Sequence, residues 1–358
     1  MDNFDEWFFS AILEATKKAG RENEITEANI GKIMKEAVPK TADLLLEKLK
    51  TENTRMLKER RAYARDFEKR LYMRWKKPID LLEMFLEISL EFGAEFNERH
   101  RAQAAKCNDF LFDVLTRQHA RACQIGFEIL ALLKSGLADG AFARWRTLHE
   151  IVVVSCFIRD QGNDLAKRFM QYEIMEAYKQ ARVYQKYCRR LGYEPLTDKE
   201  MRQLDELRSK ILETYGKDFG DEYGWIPKEI LRNRNLMEIE KIVKLDHLRP
   251  FYRMACYGVH AGPKGIKSPL GLFHETSKEP LLLAGPSNYG LADPGQSMAL
   301  SLYQLTTCLL LTKPTIENLI SSEIMQKLVH ELSIAFVAVQ SKIAEEEKRI
   351  IAETKNTA

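Results

Sequence analysis

Apolar residues recur at helical spacing along most of the chain. Leu44, Leu45, Leu49, Met56 and Leu57 do so within a Lys/Glu-rich background. Leu81, Leu82, Phe85, Leu86, Ile88 and Leu90 follow the same period after Pro78, a proline placed as at a helix start. The stretch 110–133 is long, apolar on one side and free of proline. Gly136-Leu137-Ala138-Asp139-Gly140 reads as a turn, and a second helix over about 141–159 returns antiparallel, giving an αα-hairpin. Another helix covers 165–191 and stops at Gly192 and Pro195. Thr197-Asp198-Lys199-Glu200 is a capping box that opens the next. Helices over 298–311 and from 316 into the tail complete the set. Val152-Val153-Val154 is β-branched but sits inside a helical pattern, and Leu281-Leu282-Leu283 is too short for a sheet. The expected fold is all-α, an antiparallel helical bundle.

One region interrupts this pattern. Six glycines and five of the eleven prolines fall between Ala261 and Gln296. A loop of about 261–297 is expected there, either a plain connection between helices or a binding loop or lid. Charge sets a soft boundary near residue 100, which divides the chain into a charged N-terminal helical region (1–100), a helical core (101–335) and a charged C-terminal helix or tail (336–358).

Composition narrows the functional classes. The 358 residues hold 45% hydrophobic and 30% charged side chains with a net charge of +3, so any nucleic-acid surface must be local. The start, Met1-Asp2-Asn3-Phe4-Asp5-Glu6, is acidic where a signal peptide needs positive charge, and no apolar run is long enough to span a membrane. Cys107, Cys123, Cys156, Cys188, Cys256 and Cys308 are scattered without a CxxC, which fits reduced, largely buried thiols in a cytoplasmic protein and neither a metal site nor a disulfide scaffold. No P-loop, GxGxxG, HExxH or GxSxG occurs, and no metal or cofactor is expected.

Three features carry candidate chemistry. Arg253 and His260 are seven residues apart, close to two helical turns, and would project from one face of a helix. A histidine can move a proton and an arginine can stabilise a phosphate undergoing attack. The plain alternative is that His260, followed by Gly262-Pro263, bonds the last carbonyls of its helix. In Arg144-Trp145-Arg146-Thr147-Leu148-His149-Glu150, Arg144 and His149 fall on different faces, whereas Arg146 and Glu150 share one at i,i+4. Among apolar neighbours such a pair is partly buried, where it orients something: His260, or an anion. The third feature is the run 55–77, with ten Lys/Arg against Glu59, Asp66 and Glu68 and a stripe of Tyr63, Phe67, Leu71 and Trp75. It reads as a core-packed stripe with solvated charges, or as a basic helix for RNA, an acidic membrane surface or a partner helix.

These residues also carry a resemblance. The hairpin turn, Arg146-Thr-Leu-His-Glu150, and the later Tyr252 and Tyr257-Gly-Val-His260-Ala-Gly resemble the bacterial family catalogued as domain of unknown function 5677, over roughly 105–310. That family implies no activity. The spacing from Arg253 to His260 is also similar to the Arg-x(4–6)-His motif of HEPN ribonucleases, although Met254 stands where a polar residue usually follows the arginine. This resemblance implies a homodimer, RNA as substrate, metal-independent cleavage, and a role in toxin–antitoxin or phage-defence systems. In that reading Arg253 and His260 act on the phosphate, with Arg146 and Glu150 orienting them, and Lys264, Tyr257, Arg144 and His149 contact substrate. The rival is a non-enzymatic module in which Arg146, Glu150 and His260 form a structural polar network and the N-terminal region binds a protein partner or antitoxin.

Overall fold

The computed structural model describes residues 27–272 and 282–357, with scattered positions between 6 and 20. The acidic start (1–5) and the middle of the Gly/Pro-rich segment (273–281), with Leu281, lie outside the described residues. Among the described residues there is no strand, and the fold is all-α. The helices are α1 (Glu27–Cys107), α2 (Phe110–Lys134), α3 (Ala138–Gln161), α4 (Asn163–Gln171), α5 (Glu173–Tyr187), α6 (Asp198–Tyr215), α7 (Leu236–Ile242), α8 (Arg249–Tyr257), α9 (Pro263–Lys267), α10 (Ala292–Leu310) and α11 (Ile316–Thr357).

Two compact units divide the chain between Lys69 and Arg70, earlier than the charge-based boundary near residue 100. Burial explains the difference. In the first unit Leu44, Leu49, Met56 and Tyr63 are exposed, whereas in the second Leu71, Trp75, Ile79, Leu82, Phe85 and Leu86 are buried. Along the aromatic stripe Tyr63 is exposed, Phe67 is half-buried, and Leu71 and Trp75 are buried. Trp75 departs from helical angles (φ −100°, ψ 16°). Pro78, three residues later, has no N–H to give back to the Arg74 carbonyl, so it lies in the first turn of the segment that restarts after this kink.

The core of the second unit is the antiparallel hairpin of α2 and α3, closed by α10, with α11 packed on α10. Asp109 caps α2 by accepting from the Phe112 N–H at 2.9 Å, and Gly136 (φ 74°) turns the chain into α3. The expected helix over 165–191 is broken: α4 and α5 meet at Tyr172, whose hydroxyl donates to the Asp221 carbonyl, and a 3-10 turn covers Cys188–Leu191. The capping box forms as expected. Thr197 Oγ1 accepts from the Glu200 N–H at 3.3 Å and the Glu200 carboxylate accepts from the Thr197 N–H at 2.8 Å.

The Gly/Pro-rich loop is shorter than 261–297. It contains α9, and α10 begins at Ala292, so Pro294 and Gly295 are helical. Pro294 falls in the first turn, where a missing N–H costs nothing. Gly295 allows close packing, since a Cβ there would meet the Phe336 ring at 2.3 Å. In the charged C-terminal stretch α11 buries Phe336 and Ile343. Of the cysteines, Cys123, Cys188 and Cys308 are buried, Cys107 is exposed, and all six are free.

A polar knot sits inside the core. His119 Nε2 lies 3.0 Å from Thr306 Oγ1, which lies 2.8 Å from Ser89 Oγ. The imidazole occupies the space that Gly93 leaves free, where a Cβ would come within 2.3 Å of the ring. Burial pushes the His119 pKa down to about 4.

Candidate functional site

The Arg146–Glu150 pair forms across one turn of α3, with Nη2 to Oε1 at 2.8 Å. Its third partner is Tyr252 of α8, whose hydroxyl donates to Glu150 Oε1 at 2.6 Å. The Arg146 and Arg249 guanidinium groups flank the Tyr252 ring at 5.2 and 5.0 Å from its centroid. On the same turn of α3, His149 Nε2 donates to Glu240 Oε1 at 3.0 Å, and Arg249 Nη1 donates to Glu240 Oε2 at 2.9 Å. His149 and Glu240 are both 0% exposed. Six side chains thus tie α3, α7 and α8 together.

The electrostatics follow from this packing. Burial, then the hydrogen bond to Glu150, holds the Tyr252 phenol above its ordinary pKa. Burial, then the charge of Glu150, raises Tyr223 as well, and Tyr223 adopts a positive φ of 53°. Burial works against the Arg146 cation, but Glu150 and Tyr252 outweigh it and its pKa is raised. Two buried atoms of the cluster, Arg146 Nε and His149 Nδ1, have no hydrogen-bond partner.

The Arg253–His260 pair does not share a helical face. α8 ends at Tyr257, and the N–H groups of Val259 and His260 both turn back to the Cys256 carbonyl. Gly262-Pro263 then blocks continuation, because a proline biases its predecessor away from helical angles, and Gly262 is extended (φ −94°, ψ 156°). Arg253 and His260 are both exposed. His260 joins neither Arg146 nor Glu150, whose place for a third partner is taken by Tyr252.

His260 lines a hollow of about 470 Å³ between the hairpin turn and the end of α8. An adjoining hollow of about 230 Å³ is lined by Lys264, and both share Asp139, Tyr257, Gly258 and Gly265. Asp139 fastens the loop to this cleft by accepting from the backbone N–H of Leu270 at 2.9 Å and of Gly271 at 3.4 Å. On the loop's other arm, Ser287 N–H donates to the Gly136 carbonyl at 2.9 Å. Gly265 permits α9 to lie against α8, since a Cβ there would be 2.3 Å from the Tyr257 carbonyl oxygen.

The predicted residues therefore separate into two places. Arg146, Glu150 and His149 belong to the interhelical network, while His260, Lys264 and Tyr257 border the cleft. Arg144 belongs to neither: it pairs with Glu128 across the hairpin. His149, expected to touch substrate, is sealed in the core. Glu240, Arg249 and Tyr223 were missed because their importance comes from partners distant in sequence, and Asp139 because it reads as an ordinary turn residue.

Comparison with known proteins bears on the stretch that carries both places. Residues 112–278 match the family of unknown function DUF5677. The DUF5677 segment runs from the start of α2 through α9, so it contains the hairpin, the interhelical network and most of the cleft wall, and it ends before α10. No curated protein and no solved structure matches the chain. The similarity to HEPN ribonucleases finds no counterpart among these comparisons. Among the described residues no group of three or more His, Cys, Asp or Glu is placed to hold a metal, and no helix is long and apolar enough to cross a membrane.

Proposed function

We propose that the cleft at the end of α8 binds the phosphodiester backbone of RNA and supports its metal-independent cleavage. The observation that carries this reading is the placing of an exposed imidazole, His260, and an ammonium group, Lys264, on two adjoining hollows with a shared wall. In this reaction the 2′-oxygen of the RNA attacks the neighbouring phosphorus, and the bond from phosphorus to the 5′-oxygen breaks. His260 takes the 2′-hydroxyl proton while water protonates the leaving 5′-oxygen, or it protonates that oxygen while water takes the 2′-hydroxyl proton; in both cases Lys264 offsets charge on the phosphate. Arg253, exposed on α8, is a further phosphate contact. Arg146, Glu150 and Tyr252 act as positioning residues that hold α8 against α3. Such a ribonuclease would act in the cytoplasm as a toxin or phage-defence effector. The exposed basic residues of the stretch 55–69 give a second region for polyanion binding, so RNA affinity should fall steeply with salt.

The test compares the full chain with its His260→Ala variant on total RNA in EDTA. Loss of a general acid or base should slow cleavage by roughly 10²–10⁴-fold, and Lys264→Ala should act mainly through KM. Cleavage that is equal in both proteins, or absent from both, would sink the proposal. Toxicity on expression that disappears in His260→Ala would support it.

A second reading is favoured by one specific feature: Arg146 is already paired with Glu150, and His149 with Glu240. On that reading the protein is a non-enzymatic helical module, and these residues serve packing. It expects no RNA cleavage by either protein and a lower melting temperature when Glu150 is removed.

A further inference from the structure

α11 carries a buried seam and an exposed seam on opposite sides. One runs through Asn318, Ser322, Met325, Leu332, Phe336 and Ile343, all buried. The other runs through Ile316, Ile320, Glu323, Lys327, His330, Ile334 and Val337, spaced alternately four and three residues apart. That spacing is a heptad seam of the coiled-coil kind. It is exposed throughout: Ile316 by 78%, Ile320 and Ile334 by 56% each, and Val337 by 51%. Leu319 and Ile324, also exposed, flank it. A solvated helix face does not call for large aliphatic side chains at both ends of a stretch of about 32 Å, here with Glu323, Lys327 and His330 between them. Two uncovered apolar clusters on one face, Ile316, Leu319, Ile320 and Ile324 at one end and Ile334 with Val337 at the other, mark an interaction site.

We infer that this seam is a homodimer interface, in which α11 pairs antiparallel with α11 of a second copy. The charges in its centre select this occupant and this register. With the two-fold axis level with Met325, Ile316 of one copy meets Ile334 of the other, and Glu323 meets Lys327, each pair occurring twice. A parallel pair would set Glu323 on Glu323 and Lys327 on Lys327. An antiparallel slip of one heptad would set Ile334 against Glu323 in one direction, or Ile316 against Lys327 in the other. The first arrangement alone pairs Glu323 with Lys327 and Ile316 with Ile334; it sets Ile320 beside His330 and leaves Val337 beyond the start of the partner helix. Within one copy Glu323 and Lys327 are already neighbours at 3.1 Å, and both remain exposed, so either is free to turn to a partner. The seam lies outside the DUF5677 segment and shares no residue with the cleft.

The experiment is sedimentation equilibrium of the full chain over roughly 1–100 μM, the range in which a modest helical interface reports its Kd. The wild type is expected to dimerise. Glu323→Lys and Lys327→Glu each place like charges in two layers and should weaken the dimer by about tenfold or more. The double charge exchange, Glu323→Lys with Lys327→Glu, should restore it. Ile334→Asp should give a monomer with unchanged helical circular dichroism, since the side chain is exposed. A wild type that stays monomeric overturns the proposal. So does a dimer indifferent to the single charge changes and to Ile334→Asp, or single variants that the double exchange fails to rescue.

Discussion

Replacing Glu240 with alanine is expected to destabilise the protein by about 3–5 kcal/mol, the cost of removing one partner from a buried ionic network. Glu240 is fully buried and receives hydrogen bonds from His149 of α3 and Arg249 of α8. Without it, Arg249, which is partly exposed, can turn to water. His149 cannot: it is 0% exposed, and its Nδ1 already lacks a partner. Glu240→Gln keeps one acceptor and should cost less. Arg253→Ala removes an exposed side chain and should stay within about 0.5 kcal/mol of wild type. Urea unfolding measures all three. A Glu240→Ala loss below that of Arg253→Ala would mean that the network does not hold α7 and α8 to α3.

The second large effect is an acid-dependent loss of stability from His119. Burial holds its folded pKa at about 4, below the ordinary 6.5. Between these values the unfolded chain takes up a proton that the folded protein refuses. Stability is therefore complete above about pH 6.5 and declines as pH falls towards 4, by roughly 3 kcal/mol in all from this one group. The ring's near neighbours are neutral: the hydroxyls of Ser89 and Thr306, the Cys123 thiol and the backbone at Gly93. His119→Gln keeps a side chain able to reach Thr306 but has no proton to gain. Stability curves of wild type and variant should diverge between pH 7 and 4, with the wild type falling faster. Parallel curves would show that His119 protonates without cost.

The local parts of the site were legible in the chain, and the joins between them were not. Arg146 and Glu150 pair as helical spacing requires, and Arg144 and His149 do face different neighbours, Glu128 and Glu240. The Arg253–His260 pairing failed although its stop signals, Gly258 and Gly262-Pro263, are in plain view. A spacing of seven has meaning only where the helix persists, and α8 ends three residues before His260. The Gly/Pro-rich segment was overextended for the opposite reason. Pro294 and Gly295 read as loop residues, yet one is tolerated in a first helical turn and the other makes room for Phe336.

The sequence by itself determined what is decided within a few residues: all-helical elements, the hairpin turn at Gly136, the capping box at Thr197, and a last helix from Ile316. These depend on backbone preference, side-chain period and capping, which act locally. The tertiary structure alone decided which face of α11 is buried, that Tyr252 completes the Arg146–Glu150 pair, that His149 is closed off by Glu240, and that His260 borders a cleft with Lys264 nearby. Those outcomes depend on how surfaces from distant parts of the chain exclude water together. No spacing along one helix encodes that.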